Sequence, residues 1–464
     1  MRKLILFTLL NVFQISLVFG QQNISGKWKG QLESSMGEIQ LLLSITNSPL
    51  VAEISTSAGI DEMKIKDLSF DGQNLDFKIP SFEIIYKGVL SNDVIKGVWY
   101  QGKSEVNLNF TRSDGNELKK PLRKQTPVNF TNYKAEEIQF RQMHDGALLV
   151  GTLTIPDGAG PFPAVILLSV AGLNDRDQTH SQGHKPFFVL ADHLSKQGIA
   201  VLRYDDRGFG ESEGNLMKSD FSTLTNDALS AFRYLTTREK IDSTKIGFIG
   251  NSEGSVIAGM SAISETNVAF TIMLGAVGVP LSELLVDRLD KMQDIYQLSK
   301  PQKEELINYS NDLEKIIAST IPIEQKRSEI EALKADNTLD KPGFPNQLFF
   351  LPDGKQDRID LYLTPWYQAQ VTYNPQSVLE KLTCPALVIN GSLDPYQSPE
   401  LNLPPIQEAL FKGGNSDFTI MVAPNVNHVM QDAKTGLPTE YLLLENSVSP
   451  LILRTVTDWI NARY

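Results

Sequence analysis

The chain has one cysteine, Cys384, among 464 residues. A lone thiol closes no intrachain disulfide, which excludes the small stapled extracellular domains. Histidine is scarce too: His144, His180, His184, His193 and His428 are the whole supply. No cluster of His, Cys, Asp and Glu has metal-ligand spacing, and no glycine-rich phosphate loop follows a strand-like run. The economical expectation is chemistry with no cofactor and no metal. Positive charge is in deficit, with 43 Lys and Arg against 55 Asp and Glu and a formal net charge of −12. Nucleic-acid binders concentrate the opposite sign, so no nucleic-acid partner is expected.

Long apolar runs are also missing beyond the N-terminus. There, Arg2-Lys3 precedes Leu4-Ile5-Leu6-Phe7 and a second apolar stretch, Ile15 to Phe19, that ends on Gly20. A basic start, an apolar middle and a small residue read as a signal peptide over 1–20. The apolar run is broken at Asn11 and Gln14 and is short for a membrane anchor. The expectation is therefore an exported protein, periplasmic or extracellular, with no membrane span once the signal is removed.

What is present is enough for more than one core, since 464 residues exceed an ordinary single domain. Residues 22–112 read as all-β. Ile39, Leu41, Leu43 and Ile45 alternate with mostly polar neighbours, and Leu68 and Phe70 lead through Asp71-Gly72 to Leu75, Phe77 and Ile79. Further strands are expected near Ile84–Tyr86, Ile95–Tyr100 and Val106–Phe110, giving a small barrel or sandwich. A polar stretch over 113–133 reads as a linker. From 134 to 464, apolar strand-length runs alternate with helical ones: Leu148–Ile155, Ala164–Leu168, Ala200–Leu202, Ile246–Ile249, Phe270–Leu274, Ala386–Ile389 and Phe418–Val422. Strands this uniformly apolar are covered on both faces, so a largely parallel, doubly wound sheet is expected. The exception, about 278–376, reads as a helical insertion capping the sheet edge, with Phe349-Phe350-Leu351 and Trp366-Tyr367 as candidate pocket walls.

The chemistry centres on Gly250-Asn251-Ser252-Glu253-Gly254, between a strand-like run and a small, apolar helical one. A serine hydroxyl is a weak nucleophile and needs a sharp turn where a base can reach it, and flanking glycines clear that turn. The base and its orienting acid should also sit just past strand ends. His428 follows the last strand, and Asp394 follows the one before it. The chain order is serine, acid, histidine.

With Ser169 to Asp177, Arg203 to Gly208, Asn390 to Asp394 and Asn427-His428, this pattern resembles secreted bacterial α/β hydrolases of the serine aminopeptidase and esterase type over 134–464. The resemblance implies an α/β-hydrolase fold with a helical cap, preceded by the all-β domain. It implies Ser252 as nucleophile, His428 as base and Asp394 as acid, with the backbone N–H groups of Glu253 and Ala171 as oxyanion donors. The chain departs from the family at Val170 and Asn251, where glycine and histidine are usual. Asp205 and Arg207 lie in a loop taken as structural, and Asp175, Arg176 and Asp177 are candidates for an internal ion pair closing the oxyanion loop. The implied activity is ester hydrolysis through an acyl-enzyme. An aminopeptidase or amidase acting on short peptides and an inactive binding protein are the alternatives. The implied partner is a small ester or short peptide, and the sequence gives no oligomeric state.

Overall fold

The computed structural model describes residues 23–34, 37–57, 63–65, 67–79, 84–101, 104–114, 123–180, 183–335 and 358–464. The expected signal peptide and Phe349-Phe350-Leu351 lie outside the described residues. The chain divides into two compact units, Met1–Lys119 and Lys120–Tyr464.

The first unit is one antiparallel sheet of nine described strands: β1 (Gly26–Ser34), β2 (Gly37–Asn47), β3 (Leu50–Thr56), β4 (Met63–Ile65), β5 (Asp67–Phe70), β6 (Asn74–Ile79), β7 (Ile84–Ser91), β8 (Val94–Gln101) and β9 (Ser104–Ser113). Their spatial order is β4-β3-β2-β1-β9-β8-β7-β6-β5, and β3 and β4 at one edge come against β5 and β6 at the other. The sheet therefore curls into a barrel. Period-two alternation sends Leu41, Leu43, Leu75, Phe77, Tyr86, Leu108 and Phe110 inward, where they are buried around Trp28. Trp28 satisfies its indole N–H on the Ile24 carbonyl at 2.8 Å and carries the Arg112 guanidinium over its ring. The interior is filled by side chains.

The second unit holds an eight-stranded sheet: β10 (Tyr133–Arg141), β11 (Leu148–Pro156), β12 (Phe162–Leu168), β13 (Ala200–Tyr204), β14 (Ile241–Asn251), β15 (Phe270–Leu274), β16 (Ala386–Gly391) and β17 (Phe418–Ala423). The order is β10-β11-β13-β12-β14-β15-β16-β17, parallel from β13 onward with an antiparallel edge at β10 and β11. Along β12, Val165 and Leu167 face α1 (Pro186–Lys196), while Ala164, Ile166 and Leu168 face α2 (Phe221–Thr236) and α3 (Glu253–Ser264). Both faces are covered, which is why the strands read as unbroken apolar runs. The chain leaves β12 toward β13 on one side and returns to β14 on the other. At such a switch point the loops beyond the strand ends diverge and leave a crevice.

The span expected as linker is shorter at both ends. Ser113 still belongs to β9, and Arg123 and Gln125 already bond to the second unit, through the carbonyls of Leu444 (2.5 Å) and Val448 (2.7 Å). Between β15 and β16 the described helices are α4 (Leu281–Lys291), α5 (Gln293–Tyr296), α6 (Lys300–Ala318), α7 (Ile323–Ala335), α8 (Arg358–Tyr362), α9 (Pro365–Thr372) and α10 (Pro375–Leu379). Among them α4, α6 and α9 pack together over the crevice; α11 (Pro399–Lys412) and α12 (Pro450–Asn461) complete the unit.

Candidate active site

Ser252 stands between β14 and α3 with φ 56° and ψ −115°, a strained region for a non-glycine residue. A serine at a helix N-cap usually bonds its own first turn. Here the strained backbone leaves the hydroxyl without a capping bond, while the Ser252 N–H is anchored on the Leu274 carbonyl at 2.8 Å. The flanking glycines are required by contact: a Cβ on Gly250 would lie 1.9 Å from the Gly254 carbonyl oxygen, and one on Gly254 would lie 2.1 Å from that of Leu168. The second approach seats the end of β12 against the first turn of α3. Gly254→Ala should therefore destabilise the second unit by about 3 kcal/mol or more, read from chemical denaturation.

Asp394 is bound on both carboxylate oxygens. Oδ1 accepts the Tyr396 and Gln397 N–H groups, each at 2.8 Å, and Oδ2 lies 2.9 Å from His428 Nδ1. A carboxylate only accepts, so Nδ1 carries the donated proton, and in the neutral ring Nε2 then holds the lone pair that a general base needs. The two loops are laced together. Leu393 N–H bonds to Val426 O at 3.0 Å, Asn425 N–H to Ser392 Oγ at 2.8 Å, and a Cβ on Gly391 would lie 2.1 Å from Val426 O. Asn427 and Gln431 exchange backbone and side-chain bonds around the histidine, and Gln431 approaches His184, whose Nδ1 lies 2.9 Å from Ser447 Oγ. Burial pushes His184 down to about 3, so it is a neutral strut in this network. Gly275 follows the Leu274 that anchors Ser252, and a Cβ there would meet the His428 ring at 3.3 Å. Ser252 and His428 thus meet one backbone segment, Leu274-Gly275, and Asp394 joins the group through its bond to His428.

The loop after β12 is shaped by Asp206, which the sequence did not single out. Its carboxylate accepts from Ser169 Oγ at 2.7 Å and from Asn174 N–H at 2.8 Å, and the Asn174 amide ties back to the carbonyls of Val170 and Gly172. Gly172 has φ 102°, so glycine is needed there. Among the described residues, the N–H groups of Ala171 and Glu253 bond to no acceptor, and both residues line the cavity on which Ser252 opens. The ion pair expected within 175–177 does not form. Arg176 instead grips Asp205 bidentately (2.8 and 3.1 Å) and reaches Glu137, while Asp177 pairs with Arg203 and Lys185. The planar guanidinium finds in Asp205 a carboxylate that it can grip on two donors at once. Arg207 pairs with buried Asp227 at 2.6 and 2.7 Å, so the Asp205-to-Gly208 loop is structural.

The cavity opens to solvent, and together with the solvent at its mouth its space amounts to about 930 Å³. Val256, Val277, Val279, Leu281, Leu284 and Leu285 give it an apolar wall, joined by Trp366 and Tyr367 as expected. Arg288, Ser310, Glu314, Gln370 and Gln397 give it polar points besides the elbow. Among the described residues no group of three His, Cys, Asp or Glu could hold a metal ion, and no helix is long and apolar enough to cross a membrane.

The family described as serine aminopeptidase, S33, matches residues 180–345. Esterase EstD of Thermotoga maritima is 31% identical over 322 residues, covering 67% of this chain and 65% of its own length.

The chain has the α/β-hydrolase fold.

A second relative, the 2,6-dihydropseudooxynicotine hydrolase of Paenarthrobacter nicotinovorans, is 30% identical over 132 residues, covering 28% of this chain and 33% of that one. The solved structure of Est1E from Butyrivibrio proteoclasticus with ferulic acid bound is 16% identical, covering 70% of this chain and 98% of that one, at TM-score 0.42. The chain spans less than two thirds of the length of the Thermotoga esterase.

Proposed function

We propose that this α/β hydrolase is a serine ester hydrolase, with Ser252 as nucleophile, His428 as general base and Asp394 as the acid that orients it. The observation that carries the reading is the pairing of a strained Ser252, opening on an apolar cavity, with the Asp394–His428 hydrogen bond of 2.9 Å. Ser252 Oγ attacks the carbonyl as its proton passes to His428 Nε2. The oxyanion is met by the N–H groups of Glu253 and Ala171 at the positive end of α3. The alkoxide leaves with the proton from His428, and water activated by the same imidazole releases the acid.

The apolar wall favours an acyl group over a charged peptide, and the Thermotoga relative is named an esterase. A panel of p-nitrophenyl acyl esters set against amino-acid p-nitroanilides tests this. Ester turnover far above anilide turnover supports the proposal, and the reverse order makes the protein an aminopeptidase. Export is proposed from the basic-then-apolar segment over 1–20. N-terminal sequencing of protein recovered outside the cytoplasm would find the chain starting near Gln21, and an intact Met1 in that fraction would refute processing.

A further inference from the structure

The turn that holds Asp394 is itself held from two sides. Asp394 Oδ1 accepts the N–H groups of Tyr396 and Gln397, each at 2.8 Å. From the sheet, Asn390 on β16 donates a side-chain amide N–H to the Gln397 carbonyl at 2.9 Å. From the cap, Arg288 on α4 donates its Nε–H to the Tyr396 carbonyl at 3.0 Å. The Tyr396 carbonyl and the Gln397 N–H are the two ends of one planar peptide group. A chain of bonds therefore runs from Arg288 through that group to Asp394 Oδ1 and, from Oδ2, to His428 Nδ1.

The side chains repeat the same path. The Arg288 guanidinium lies 5.6 Å from the centre of the Tyr396 ring, and that ring lies 5.0 Å from the centre of the His428 ring. Arg288 is buried, and it lines the cavity beside Leu284 and Leu285 of the same helix.

We propose that Arg288 is a positioning residue: from the cap, it fixes the peptide group that holds Asp394 and, through Asp394, the His428 ring. This rests on Asp394 orienting His428 in the proposed reaction. A guanidinium suits the task because its donors point in fixed directions, whereas a lysine ammonium is a point charge on a flexible stem. An N–H given to a carbonyl also polarises the peptide, so the N–H at its far end donates more strongly. The cap then serves the chemistry as well as enclosing the substrate. Without Arg288 the acid turn keeps its anchor on the sheet and loses the one on the cap, so the base is held less firmly toward Ser252 and kcat falls.

The test is a double-mutant cycle on the full chain with p-nitrophenyl acetate. Wild type, Arg288→Met, Asp394→Asn and the double variant are compared in kcat and KM, with circular dichroism to confirm folding. Methionine keeps most of the stem and loses every donor. Arg288→Met should lower kcat by about ten-fold or more with KM little changed. In the Asp394→Asn background the same substitution should cost less than about two-fold, because a residue that acts through the acid has little left to act on. Arg288→Lys keeps a donor and should recover part of the loss, and it takes the place of Arg288→Met in the cycle if the methionine variant does not fold. A loss of equal size in both backgrounds, or one confined to KM, would mean that Arg288 only shapes the cavity, and overturns the proposal. Failure of both variants to fold would make Arg288 a structural residue and overturn it as well. Near-normal activity of Asp394→Asn alone would instead overturn the reading of Asp394 as the acid.

Discussion

Ser252→Ala is expected to lower turnover by about 10⁴ to 10⁶ while leaving the unfolding midpoint nearly unchanged. The size follows from the chemistry: without Oγ there is no acyl-enzyme, and only binding and the two N–H donors remain to assist water. The small stability cost follows from the geometry, because the Ser252 hydroxyl makes no capping bond. What holds the turn is backbone, the Ser252 N–H on Leu274 O and the close approaches at Gly250 and Gly254. Alanine keeps all of these. Steady-state kinetics on an activated ester, with thermal unfolding alongside, measures both halves, and retention of even a tenth of the activity would contradict the assignment.

The second large effect is at the acid and the base. Asp394→Asn keeps the shape of the side chain, but it can turn an N–H₂ toward His428 and force the proton onto Nε2, the wrong tautomer for accepting the serine proton. By analogy with other triads the loss should be about 10³ to 10⁴ in kcat. Oδ1 also caps Tyr396 and Gln397, and the asparagine oxygen can keep that role, so folding should survive. His428→Ala should cost at least as much. The Asp394→Asn/His428→Ala double variant should be little worse than His428→Ala alone, because an orienting group has no effect once the group it orients is gone. Strictly multiplicative losses would mean that the two act independently, against the 2.9 Å bond that joins them.

Much of this site is legible in the sequence because its signals are local. Ser252 lies in a five-residue pattern with glycines whose necessity is steric, and Asp394 and His428 follow apolar runs whose strand character is plain. What was not legible depends on partners far away in the chain. Asp206 shapes the loop after β12 through residues 37 and 32 positions earlier, and Glu253 meets Trp366 across 113 positions. Nothing in the spacing of these residues marks the pairs. The same holds for Arg176, whose neighbours in sequence, Asp175 and Asp177, look like its partners, although its bonds run to Asp205, just past β13, and to Glu137 on β10. Strand β10 escaped because its edge position leaves Glu136 and Glu137 at intermediate or full exposure, which interrupts the apolar alternation. In the first unit, β2 and β5 to β9 were foreshadowed by alternation, whereas β1 and β3 carry no sustained alternation of apolar and polar residues and β4 is only three residues long.

The central claim is that Ser252 is the nucleophile of a working triad. Its most direct test is to treat the folded protein with a fluorophosphonate and locate the adduct by peptide mass spectrometry. The account predicts one phosphonyl group on the peptide carrying Ser252, with ester turnover lost in step with labelling and labelling suppressed in the His428→Ala variant. Full ester turnover by protein that takes no label at Ser252, or an adduct on another residue that alone tracks the loss of activity, would contradict it.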